Sequence, residues 1–147
     1  MDLRQLYTDY IAQINAGCGS GALAKYVNNG IVHNDSSPLS VDDYAQIILD
    51  SQASFPGLLF EVDMLVTDDA NGAKGGGSIA ARIKLSYDRS VAASNPSPET
   101  TSQQSTKETF YEHVFYSLEG GKISRVWSIL DGAGQRWREE LEARKGQ

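Results

Sequence analysis

The chain has two histidines and one cysteine among 147 residues, so proton-transfer chemistry here must run on imidazoles and carboxylates. His33 and Asp35 stand two apart in the stretch VHND. If that stretch is extended, their side chains share a side. An imidazole titrating near neutrality can polarise a carbonyl or relay a proton, and the neighbouring carboxylate can act as a base. A loop histidine beside a turn or N-cap aspartate would look the same. His113 shares parity with Tyr111 and Phe115 on a later strand. Asp131 ends the apolar run Val126, Trp127, Ile129 and Leu130, where partial desolvation favours the neutral carboxyl and raises its pKa toward a working range. An aspartate opening the turn DGAG before a helix has the same appearance. Arg82 and Asp63 alternate opposite to the apolar residues of adjacent strands, with Glu61 pointing the same way as Asp63. An Arg–Asp pair across strands can orient a substrate carboxylate or enolate, or can be an exposed ion pair. Trp127, Phe60, Phe115, Tyr111 and Tyr44 can wall a pocket for a planar molecule or simply fill a core. No metal site is expected, because no three or four convergent ligands stand out, and a lone Cys18 supplies neither a disulfide nor a sulfur cluster.

The elements that position these residues follow from hydrophobic period. Leu3, Leu6, Tyr7, Tyr10, Ile11 and Ile14 recur at helical spacing up to Gly17. The glycine run GCGSG follows a helix where a dinucleotide loop needs a preceding strand, so it reads as a connector. Residues 22–27 predict a short second helix and 31–34 an extended piece. Ser40 with Asp43 three residues on resembles a capping box for a third helix whose face is Tyr44, Ile47, Ile48 and Ser51, ending at Pro56. Beyond Pro56 the period changes to two. Phe60, Val62, Met64 and Val66 predict one buried face, Ile79, Ala81, Ile83 and Leu85 the next, with TDDANGAKGGG as a loose hairpin between them. Residues 88–107, rich in Ser, Thr, Pro, Asn and Gln, read as a mobile loop. Residues 108–118 and 122–130 form a second hairpin around Glu119, Gly120 and Gly121. Residues 135–144 are a charged helix with Trp137 and Leu141 on one face.

Length and composition, with 40% hydrophobic and 22% charged residues, match one globular domain spanning 1–147. Helices first and a meandering sheet after them make an α+β class. The formal net charge of −6 argues against nucleic acid and anionic lipid as partners. No run of about 18 apolar residues predicts a membrane span, and the amphipathic start MDLRQLYTDY is unlike a secretory signal. A soluble cytoplasmic protein is therefore expected, and the glycosylation-type triplet Asn34-Asp35-Ser36 is read as chance.

The segment GGKISRVWSILD, with Ile123, Trp127 and Asp131 at four-residue intervals, resembles the closing strand of SnoaL-like polyketide cyclases of the nuclear-transport-factor-2-like superfamily. YVNNGIVHND resembles that family's stretch after the second helix, and FEVDMLV with SIAARIKL its central strand pair, so the resemblance covers most of residues 3–143. It implies a conical barrel of a strongly bent, mostly antiparallel sheet wrapped over N-terminal helices, often dimeric through the sheet, and cofactor-free acid–base chemistry on polycyclic polyketide or terpenoid-derived metabolites. Other members only bind ligands or proteins, so a non-catalytic small-molecule-binding or partner-docking module stands beside the isomerase or cyclase. Under the resemblance Asp131 matches the cyclases' acid/base aspartate. Asp35, or Asn34 if the register shifts by one residue, lies where a ketosteroid isomerase of the superfamily holds its base. Arg82 and Asp63 match an arginine and an acidic position of the central strands. An epoxide-hydrolase reading wants Arg and Asp two apart, whereas Arg82 is followed by Ile83 and Lys84. Residues 88–107 depart from the family's Gly- and Pro-containing lid, and fungal terpenoid-polyketide isomerases are similar in size.

Overall fold

A computed structural model describes residues 2–18, 21–69, 75–89 and 106–145. Helix α1 (Leu3–Asn15) starts at Asp2, whose carboxylate accepts the Gln5 amide N–H at 3.1 Å, and it buries Leu3, Tyr7, Tyr10, Ile11 and Ile14. The predicted second helix is a single 3-10 turn (Ala22–Lys25), because Val27 already begins strand β1 (Val27–His33). Helix α2 (Val41–Ser54) starts as expected, with the Ser40 hydroxyl accepting the Asp43 amide at 3.0 Å. Pro56 follows directly and cannot continue it.

Strands β2 (Leu59–Asp68), β3 (Gly77–Arg89), β4 (Thr106–Glu119) and β5 (Lys122–Leu130) complete an open five-stranded sheet in the order β1-β5-β4-β3-β2. β1 runs parallel to β5 and the other neighbours are antiparallel. The loop expected over 88–107 is shorter at both ends than its composition implied, since Asp88 pairs with Lys107 and Arg89 with Thr106. Residues 90–105 lie outside the described set, as do 70–74 of the first hairpin and 19–20 of the glycine connector.

The buried face of β2 is not the one its alternation predicts. Phe60 and Val62 pair with the inward residues Leu85 and Ile83, but the register slips at Asp63, so that Met64 pairs with Arg82, and Val66 with Ala80, on the opposite face. A one-residue bulge moves every later side chain across the sheet. Met64 and Val66 are accordingly 61% and 59% exposed, while Leu65 and Thr67 turn inward.

All three helices cover one face of this sheet. α3 (Gly132–Lys145) docks on β4 and β5 through Gly134, Trp137 and Leu141. The Trp137 ring stacks on Phe110 at 4.7 Å between centroids and tilts against Phe55 at 5.4 Å. Contact this close needs a residue without a side chain: a Cβ on Gly134 would lie 2.9 Å from Leu130 Cβ and 3.0 Å from Phe110 Cδ2. We therefore expect Gly134→Ala to lower stability by about 1–3 kcal/mol through overpacking, although alanine is the better helix former. Gly132→Ala, whose Cβ would meet only the flexible Arg136 guanidinium, should be neutral or stabilising. Chemical denaturation of both variants checks the contrast.

Candidate active site

Between the helices and the sheet lies a cavity of about 100 Å³. α1 contributes Tyr10, Ile11 and Ile14, and α2 contributes Tyr44, Ile47, Ile48 and Ser51. The sheet floor holds Phe60, Ile83, Leu85, Glu112, Val114, Tyr116 and Val126, and α3 closes it with Trp137 and Arg138. Ile47 and Arg138 also reach the surface, so the opening lies between α2 and α3.

Its polar groups come in connected sets. The hydroxyls of Tyr10 and Tyr44 are 2.7 Å apart and those of Tyr7 and Tyr116 2.8 Å, with the rings of Tyr10 and Tyr116 meeting edge-on. In each pair one hydroxyl donates to the other. The second proton has no described acceptor, so Tyr10 or Tyr44 can offer it to a molecule in the cavity. Burial pushes all four phenols above their usual range, and they remain neutral donors.

His33 ends β1, where its amide N–H donates to the Ser36 hydroxyl at 3.0 Å and its carbonyl accepts the Ser36 amide. Its ring sits 6.3 Å from that of Tyr44. Burial and then the Arg138 charge lower its pKa, which holds the imidazole neutral and leaves a nitrogen free to accept a proton. Glu112 alternates with Phe110 and Val114 on the inward face of β4. Burial raises its pKa against the opposing pull of the Ser128 hydroxyl and Arg138. The cavity thus holds a base kept unprotonated and an acid biased toward its protonated form.

Other residues singled out from sequence lie elsewhere. The Asp131 carboxylate accepts the Gly134 amide at 2.8 Å and caps α3, and the residue is outside the cavity lining. Asp35 is exposed in the turn after β1. Its neighbour Asn34 adopts a left-handed φ of 54°, and its side chain accepts the Ser128 amide at 2.8 Å, extending the β1–β5 pairing. His113, Tyr111, Phe115 and Trp127 all point away from the helices: Arg82 pairs with His113 and His113 with Ile129, while Phe115 pairs with Trp127. Arg82 and Asp63 form a 2.5 Å ion pair on that outer face, the guanidinium lying 3.7 Å over the Tyr111 ring. Glu61, opposite Lys84, is exposed there too. Of the residues singled out for chemistry, substrate contact or the pocket wall, the structure brings His33, Tyr44 and Phe60 together in the cavity. It adds Glu112, Arg138, Tyr10 and Tyr116. Glu112 had a legible signal, a carboxylate in phase with Phe110, Val114 and Leu118. The opposite parity, Tyr111, His113 and Phe115, looked equally apolar.

No protein-family profile and no curated protein sequence matches this chain. Solved structures do. A SnoaL-like polyketide cyclase from Agrobacterium tumefaciens is 28% identical, with 92% of this chain and 97% of that one aligned at a TM-score of 0.70. TsrD from Streptomyces laurentii is 17% identical over 96% of this chain and 97% of that one at 0.65. A nuclear-transport-factor-2-like protein of unknown function from Cytophaga hutchinsonii is 14% identical over 92% and 96% at 0.59. The chain has a SnoaL-like fold. Its α+β architecture, three helices over one mixed sheet among the described residues, is consistent with that fold, and the sheet is open where a barrel was expected. Among the described residues of this SnoaL-like chain no group of His, Cys, Asp or Glu converges to hold a metal, and no helix is long and apolar enough to cross a membrane.

The geometry assigns Asp131 a capping role, which separates two substitutions. Asp131→Ala should cost about 1 kcal/mol of stability through loss of the cap. Asp131→Asn, still able to accept the Gly134 N–H, should melt within a degree or two of the parent and keep any activity. Thermal melts of both variants measure the difference.

Proposed function

We propose that this protein is a cofactor-independent isomerase or cyclase that removes a proton alpha to a carbonyl of a polycyclic polyketide- or terpenoid-type metabolite, with His33 as base and Glu112 as acid. The observation that carries the reading is the pairing of a neutral imidazole and a protonation-biased carboxyl in one largely apolar cavity. Two titratable groups pushed toward opposite proton roles are what acid–base catalysis near neutrality requires. His33 takes the alpha proton. The developing enolate oxygen is met by the Glu112 carboxyl and by the spare hydroxyl of the Tyr10–Tyr44 pair, which act strongly where water is excluded. Reprotonation at a second carbon gives an isomer, and attack of the enolate carbon on a second carbonyl closes a ring. A cavity of about 100 Å³ is below the roughly 300–1,000 Å³ of most ligand pockets. It therefore takes the reacting ring, and the remainder lies across the opening between α2 and α3. Several structural relatives are named polyketide cyclases, which supports the reaction class.

Deuterium exchange alpha to the carbonyl of 2-tetralone in D2O, followed by proton NMR, tests the base. Exchange faster than buffer alone is expected, with His33→Ala lowering the enzymic rate by about 10²–10⁴-fold. Exchange at the buffer rate in the parent protein would sink the reading in favour of a binding module that leaves its ligand unchanged. The pH profile follows from the two shifts. His33 must be neutral, so activity climbs as pH rises through a pKa below 6.5. Glu112 must be protonated, so activity falls as pH rises through a pKa above 4.5. Glu112→Gln keeps a donor that does not titrate, and the fall at high pH should vanish.

The outer sheet face supports a homodimer. Val66, Ala80, Phe115 and Trp127 form one cross-strand row, and Met64, Arg82, His113 and Ile129 the next. Ile129 and Phe115 are 61% and 48% exposed, and contiguous apolar surface of this kind marks an interaction site. Sedimentation at micromolar concentration should give twice the chain mass, and Ile129→Asp should give a monomer. A monomeric parent protein would refute the assembly.

A further inference from the structure

Among the described residues Arg138 is the one cationic residue that lines the cavity, and it makes no hydrogen bond or ion pair with any of them. This sets it apart from its neighbours. Arg89 and Arg144 are both held by Glu140, at 3.0 and 3.1 Å. Glu142, four residues beyond Arg138 and correctly spaced to pair with it, lies beside Lys145 at 3.8 Å instead. The guanidinium carries five N–H donors and no acceptor, in a planar fork that fits a carboxylate.

A second group on the same helix turn has the same need. Trp137, whose ring lines the cavity and which is 7% exposed, has its indole N–H buried without an acceptor. A buried donor left unpaired is costly and uncommon. Trp137 faces the core and Arg138 the opening, and neither has a hydrogen-bond or ion-pair partner among the described residues, so each can take an acceptor from a molecule in the cavity. The nearby Glu112 carboxyl feels this charge too: burial pushes its pKa up and Arg138 pulls it back down. The chain as a whole carries a net charge of −6, so its overall field opposes an anion and selection must be local.

We propose that Arg138 forms an anion subsite at the opening between α2 and α3 and takes the carboxylate of the small molecule that enters the cavity. The substrate class is then a carbonyl compound bearing a free carboxylic acid, its ring inside and its carboxylate on the α3 side. This names the substrate class within the acid–base reading above, but the binding itself does not require turnover.

The test uses the full chain and two isosteric probes, benzoate and benzamide, by isothermal titration calorimetry near pH 7. A charge-assisted contact to a guanidinium predicts benzoate binding about tenfold or more tighter than benzamide. Arg138→Gln should bring benzoate down to the benzamide level while leaving benzamide unchanged, and Arg138→Lys should restore part of the preference. Equal affinity for the two probes in the parent protein, no binding of either, or a preference that survives Arg138→Gln would each overturn the subsite. The two proposals fail separately. Benzoate preference without tetralone exchange removes the acid–base reading and keeps the anion subsite. Exchange without benzoate preference does the reverse.

Discussion

The contact on which the site depends is the seating of α3 on β4, where Trp137 stacks on Phe110 and Gly134 lets the helix approach within side-chain contact of Leu130. Aromatic stacking of this kind adds about 0.5–1.5 kcal/mol beyond the area it buries, but its larger consequence is geometric. It fixes the register of the helix, so that Arg138 stands at the cavity opening above Glu112 while Asp131 is drawn into capping the first turn. A helix rotated by one residue, about 100°, would exchange Trp137 and Arg138, placing the charge in the core and the indole in solvent. The apolar cost of that exchange holds the site in place.

The same division of labour runs through the sheet. Three helices cover one face, and the residues expected to do chemistry split between that face and the uncovered one according to strand parity. On β4 even-numbered residues from Phe110 to Leu118 turn inward and odd ones outward. His113 and Glu112 are adjacent in sequence and on opposite sides of the sheet. The Asp63 bulge adds a second parity change on β2, which aims Met64 and Val66 outward and sets Asp63 beside Arg82. The ion pair and the apolar rows next to it therefore belong to a surface, and the reacting groups to an interior.

Local signals in the sequence were reliable wherever one interaction decided the outcome. The helical face of α1, the Ser40 cap, the stop at Pro56 and the Glu119–Gly121 turn all appear where spacing put them. The order of elements, and with it the SnoaL-like resemblance, followed. What spacing could not supply was any choice that depends on a partner strand. The bulge at Asp63 leaves no mark in a run that alternates without interruption from Phe60 to Val66, and β4 carries apolar residues on both parities although one face meets helices and the other is uncovered. His33 and Tyr44 were readable as cavity residues because each follows a local marker, the extended VHND stretch and the α2 cap. Arg138 was not, since a charged residue on a charged helix looks like solvated surface until the helix is seen to border a cavity.

The arrangement of the interior polar groups also bears on how such a cavity remains stable. An isolated buried hydroxyl costs roughly 1–3 kcal/mol when it lacks a partner, and four of the five buried tyrosines must satisfy theirs within the core, Tyr87 accepting from Arg89 instead. Pairing them as Tyr10–Tyr44 and Tyr7–Tyr116 satisfies each with another, without a charge and without a chain of donors leading to solvent. Glu112 follows the same logic by a different route: burial biases it toward the neutral form, in which a carboxylic acid is both donor and acceptor and far cheaper to enclose than a carboxylate. The cation that lines the cavity, Arg138, stands at its opening where water can still reach it. The interior is thus a set of hydrogen-bonding groups whose burial disfavours charge, able to respond to charge that forms on a substrate, with a guanidinium at the rim. A site built this way costs little when empty and can act most strongly on a molecule whose own charge develops inside it.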